Sequence, residues 1–158
     1  MSGFDMTTID PENLENRLLP GKYQMLVQTH EEDDKKWSVA MEVVASADPN
    51  QLGKMHTESL FKSDKAKPRA AKFLVACGLG PDFAAAKARG ETNFQPDWNK
   101  THGAGLFCEI SKNGDRVQVT YMGFYGLNDP AAKDFPRNDQ ALAVAKARND
   151  QGSAGITF

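Results

Sequence analysis

Cysteine is nearly missing from this chain: Cys77 and Cys108 are the only two among 158 residues. That excludes a secreted scaffold held by a disulfide framework, and both thiols read as reduced, packed groups, one on a helix and one in a strand. Histidine is equally sparse. His30, His56 and His102 stand far apart with no neighbouring ligand at zinc spacing, so no metal site is expected. Apolar runs reach only a few residues, which excludes a membrane-spanning helix. The opening MSGFDMTTIDPENLENRLLP has no basic flank followed by an apolar stretch, so a secretory signal is not expected and a cytoplasmic location is.

Catalytic signatures are missing too. Gly103 and Gly105 lack the lysine and the helix start that a phosphate-cradling loop requires. Neither cysteine has a context that would activate it, and no spacing of acids suggests a two-metal nuclease. A non-catalytic protein without a cofactor is the expectation.

What is present suits a single globular domain: 40% hydrophobic and 25% charged residues, in a chain long enough to bury a core without staples. The net charge of −2 conceals an uneven distribution. Residues 1–34 carry eight acids and two bases, residues 35–126 thirteen bases and nine acids, and residues 127–158 four of each. An acidic lead therefore precedes a basic middle. Ordinary solvated surface would explain so small an excess, and so would a phosphate-binding face beside an acidic arm.

The pattern divides into a lead (1–20), a barrel (21–126) and a C-terminal extension (127–158). Pro11 with Glu12 and Glu15 predicts a short helix through Leu18 and Leu19, and Pro20-Gly21 breaks it. Lys22 to His30 alternates as a strand, and Glu31 to Lys36 is a polar hairpin tip. Trp37, Val39, Met41 and Val43 then form one face of a second strand. Turn residues at Ala47-Asp48-Pro49-Asn50 lead to a third extended run, Gly53 to Phe61. After Ser63-Asp64 the period changes: Ala70, Phe73, Leu74 and Cys77 make one helical stripe, stopped by Gly78. Pro81 to Arg89 is a second short helix within a helical insertion, 81–98. Strand four runs from about Gly105 to Lys112, with Leu106, Cys108 and Ile110 facing in and Phe107 facing out. Asn113-Gly114 supplies both central residues of a hairpin turn. In the fifth strand Val117, Val119 and Tyr121 share a face, and Tyr121 and Phe73 belong to the core. Asp139 to Arg148 would be a thinly apolar helix, and Gln151 to Phe158 a mobile end.

Three strands, a helix and two strands describe a mainly β fold with α: a five-stranded barrel, plugged by the helix between strands three and four, whose open face commonly binds single-stranded nucleic acid or sugars. Flat rings stack on unpaired bases and cations neutralise phosphates. The rings that qualify are Trp37, Phe61, Phe107 and Tyr125; the cations are Lys22, Lys36, Lys54, Lys62, Lys112 and Arg116.

The stretch from Leu19 to Tyr125 resembles phage-encoded OB-fold proteins that bind single-stranded DNA or sit in replication and recombination gene clusters. The resemblance is carried by Pro20-Gly21-Lys22-Tyr23, Trp37 to Val44, Gly53-Lys54, Phe73 to Leu79, Gly105 to Ile110 and Arg116 to Gly123. It implies non-catalytic binding of single-stranded DNA with little sequence preference, in the cytoplasm of an infected bacterial cell. The expected partners are single-stranded DNA and replication or recombination proteins, with no membrane. A homodimer through open edge strands is among the expected assemblies. An alternative use of the same barrel is a protein-interaction module that docks a replication, recombination or host factor without binding DNA.

Overall fold

The fold is that of a computed structural model, which describes residues 18–155, with side chains to residue 150. Of the helix expected from Pro11 through Leu19, residues 11–17 lie outside that range, and Leu18 and Leu19 are not helical. Five strands form one antiparallel sheet: β1 (Gly21–Glu32), β2 (Lys36–Ser46), β3 (Met55–Phe61), β4 (Gly105–Asn113) and β5 (Arg116–Tyr125), in the order β3-β2-β1-β4-β5. Local chemistry sets the turns. The Asp33 carboxylate accepts the N–H groups of Lys35 and Lys36 at 2.7 and 2.9 Å, closing the β1–β2 tip. Asp48 caps the 3₁₀ turn Pro49–Gln51 in the same manner.

The β4–β5 hairpin differs from expectation by one residue. Asn113 pairs with Arg116, so Gly114 and Asp115 are the central residues, and Gly114 alone has a positive φ, +63°. Glycine at the first central position is one of the two hairpin turns whose twist suits the strands.

Helix α1 (Lys67–Leu74) lies between β3 and β4 in sequence and buries Ala70, Phe73 and Leu74. These meet Met25, Val27, Met41, Val43, Leu106, Cys108 and Val119 in one core on the inner face of the sheet. Gly78 has the left-handed φ expected of it, +99°, but the chain does not stop there. It passes through a π turn, Val75–Leu79, straight into α2 (Gly80–Ala88). No helix among the described residues is long and apolar enough to cross a membrane.

The C-terminal extension packs on the opposite face of the sheet. Helix α3 (Asp139–Gly155) sets Ala141, Leu142 and Ala145 against Leu26 of β1 and Val44 of β2. Its backbone is helical as far as Gly155, past the Arg148 end expected for this helix. Gly105 makes the approach feasible: a Cβ there would lie 2.5 Å from Leu142 Cδ2. Just before α3, Ala132 and Phe135 cover Phe107.

One expectation fails in β5 because of an irregular register. The β4–β5 register jumps from Cys108↔Phe124 to Ile110↔Val119, leaving residues 120–123 bulged opposite Glu109. Met122 takes φ +61° within this bulge. The alternation that would carry Tyr121 inward is interrupted, so Tyr121 is 65% exposed rather than part of the core. Gly123 permits the bulge, because a Cβ would meet the Thr120 carbonyl oxygen at 2.8 Å. Gly123→Ala should therefore destabilise the fold by about 1–3 kcal/mol, measurable by urea denaturation.

The sheet is also not closed into the expected barrel. β3 and β5 remain edges with no ladder between them. Side chains occupy the gap. Glu58 of β3 accepts the Val119 N–H at 2.8 Å, and Arg69 of α1 donates to the carbonyls of Ser59 (3.1 Å) and Val119 (2.9 Å). Backbone groups that a ladder would satisfy are satisfied instead by an ion pair.

Candidate nucleic-acid interface

The unclosed seam is a groove of about 630 Å³ between β3 and β5. Its cations are Lys36 at the start of β2 and Arg116 at the start of β5; its rings are Phe61 and Tyr121. Alternation turns His56, Glu58 and Leu60 of β3 inward, leaving Met55, Thr57 and Phe61 outward. Phe61 pairs across the ladder with Lys36, whose ammonium lies 6.0 Å from the ring centroid. Phe61 is half exposed, and the β5 bulge presents Tyr121 to the same groove.

Beneath these groups lies a buried polar cluster. Glu58 Oε1 is 2.7 Å from His56 Nε2, and Glu58 Oε2 accepts Arg69 Nη2 at 2.6 Å. The Arg69 guanidinium also lies 5.3 Å from the Phe124 ring centroid. Arg69 and Glu58 cancel one another in formal charge, so Lys36 and Arg116 leave the groove net positive. Alternation alone puts His56 and Glu58 on one face of β3, a signal legible in the sequence; their union with Arg69 was not.

Of the residues expected to hold nucleic acid, the structure brings Lys36, Phe61 and Arg116 together in this groove. Trp37 points the other way, into a stack. Its ring lies 4.5 Å from Trp98, which lies 5.8 Å from Phe73, and the Lys62 ammonium sits 5.0 Å over it. Lys62 is in turn held by Glu32 at 2.5 Å, a contact that draws the Glu32 carboxyl below its ordinary range. Lys54 stands just ahead of β3, and Lys112 is exposed at the far end of β4; neither lines the groove.

Lys22, Phe107 and Tyr125 gather elsewhere, around Phe135 of the C-terminal extension. The Phe107 and Tyr125 rings lie 5.7 and 5.4 Å from the Phe135 ring, and the Lys22 ammonium lies 5.2 Å from it. Phe107 does turn to the outer face, as its alternation requires. It is only 1% exposed because residues 130–137 lie over it, and it is therefore no platform for a base. The extension thus covers the outer face over β2, β1 and β4, and none of its described residues lines the β3–β5 seam.

Neither thiol supplies a ready nucleophile. Burial raises the pKa of Cys77 and of Cys108, which keeps both protonated. Comparison with protein-family models, curated proteins and solved structures returns no match.

Proposed function

We propose that this protein is a non-catalytic single-stranded DNA-binding protein of phage type, which coats or protects strands during replication or recombination. The β-β-β-α-β-β element order, with the helix under the rolled sheet, supports an OB-like build. The observation that carries the reading is the seam groove: Lys36 and Arg116, cations with no ion pair to a carboxylate among the described residues, beside two exposed rings, Phe61 and Tyr121. Stacking on rings tolerates any base, and cations follow the phosphates, so little sequence preference is expected.

Titration with an oligothymidine at several salt concentrations tests this. Two neutralised phosphates give a log–log salt slope of about −1.4, from the single-strand coefficient of about 0.7 per phosphate. Lys36→Ala or Arg116→Ala should each reduce the slope by about 0.7, while Phe61→Ala or Tyr121→Ala should each cost about 1–3 kcal/mol of binding with the slope kept. Failure to bind at low salt would sink the DNA reading. The stretches of the β3 and β5 edges outside the Glu58–Arg69 bridge would then favour the second one, an interaction module that takes an extended peptide by strand addition.

A further inference from the structure

Two of the three histidines, 72 positions apart in sequence, meet on the surface. His30 Nδ1 lies 2.7 Å from His102 Nε2, with ring centroids 4.9 Å apart. Their backbones are pinned together. Gly103 N–H donates to the Val27 carbonyl at 2.8 Å, and Val27 N–H donates to the Ala104 carbonyl at 2.9 Å. The loop is also held from its other side: Asp97 caps the 3₁₀ turn Trp98–Thr101, and Lys100 pairs with Asp82 of α2 at 2.8 Å. Neither histidine lines the seam groove.

We propose that His30 and His102 form a binding site for a divalent transition-metal ion of tetragonal preference, Cu²⁺ or Ni²⁺, that staples the Trp98 loop to β1. Imidazole nitrogen is a favoured donor for both ions. At metal–nitrogen distances of about 2.0–2.1 Å, nitrogens 2.7 Å apart subtend about 80°. That is close to the cis angle of square-planar or octahedral coordination and well below the tetrahedral angle Zn²⁺ adopts in structural sites. Among the described residues no third His, Cys, Asp or Glu completes a cluster, so water fills the remaining positions.

In the metal-free pair one ring N–H donates to the other ring's lone pair. Metal binding requires both facing nitrogens to be unprotonated. The donor ring shifts its proton to its far nitrogen, each imidazole stays neutral, and ring rotations that keep the two nitrogens near their present separation turn both lone pairs toward the ion.

The His30 ring lies 6.0 Å from Trp98, which gives a direct readout. Titrating the intact protein with Cu²⁺ should quench tryptophan fluorescence saturably at one equivalent, and Ni²⁺ should raise the thermal midpoint more than Zn²⁺ does. Both effects should disappear in His30→Ala and in His102→Ala. His102→Asn serves as a second, conservative variant. His56→Ala should leave the metal response of whatever fraction folds unchanged. Quenching without saturation, or with the same midpoint in His102→Ala and His102→Asn as in the parent, would overturn the site. So would a Zn²⁺ response equal to that of Ni²⁺, since it would remove the geometric argument.

Discussion

Replacing Arg69 with methionine should lower the free energy of unfolding by about 3–5 kcal/mol. The guanidinium side chain is 14% exposed and its partner Glu58 is 5% exposed. Removing it strips a buried carboxylate of its cation and leaves the Ser59 and Val119 carbonyls without that donor. Each loss is of the expensive kind, a desolvated group with its partner gone. The paired change Glu58→Leu with Arg69→Met should recover only the part of the deficit that comes from the unpaired carboxylate, because the Ser59 and Val119 backbone groups stay without their side-chain partners. Urea denaturation of the two single variants and the double variant makes the measurement. A single-variant loss below about 1 kcal/mol, the scale of an exposed pair, would mean that the seam is not bridged by this cluster.

Phe107→Ala is the second large effect, expected at about 3–5 kcal/mol. Its ring is fully enclosed, packed on Phe135, with the Arg137 guanidinium 5.6 Å from its centroid. Truncation empties the space between the sheet and the C-terminal extension, so proteolysis at residues 130–137 should accelerate with the loss of stability. Phe61→Ala and Tyr121→Ala provide the contrast. Both rings are exposed, and each change should alter folding stability by no more than about 0.5 kcal/mol. A Phe107→Ala variant as stable as those two would show that the extension rests on the sheet without packing against it.

These two experiments separate what alternation conveys from what it does not. Alternation told correctly which way Phe107 and Phe61 leave their strands. It could not tell which would be covered, because the covering groups, Ala132 and Phe135, lie 25 and 28 positions beyond Phe107 in a segment with little periodicity. Tyr121 shows the reverse failure. Its period-two pattern is intact in the sequence, but a bulge between Thr120 and Gly123 turns the ring outward, and only Gly123 hints at it. Trp98, read as an irregular loop residue, is 7% exposed because the loop folds back against Trp37 and Phe73.

Local signals in the chain were enough to determine five strands, the α1 stripe of Ala70, Phe73 and Leu74, and the short helix after Pro81. Each depends on contacts between neighbours a few residues apart. Whether the sheet closed, which rings stayed in water and which cations came together were decided in three dimensions. Glu58, Arg69 and Val119 span 61 positions, and His30 and His102 span 72. Side-chain hydrogen bonds of that reach leave no periodic trace in a sequence, because they depend on where whole elements come to rest.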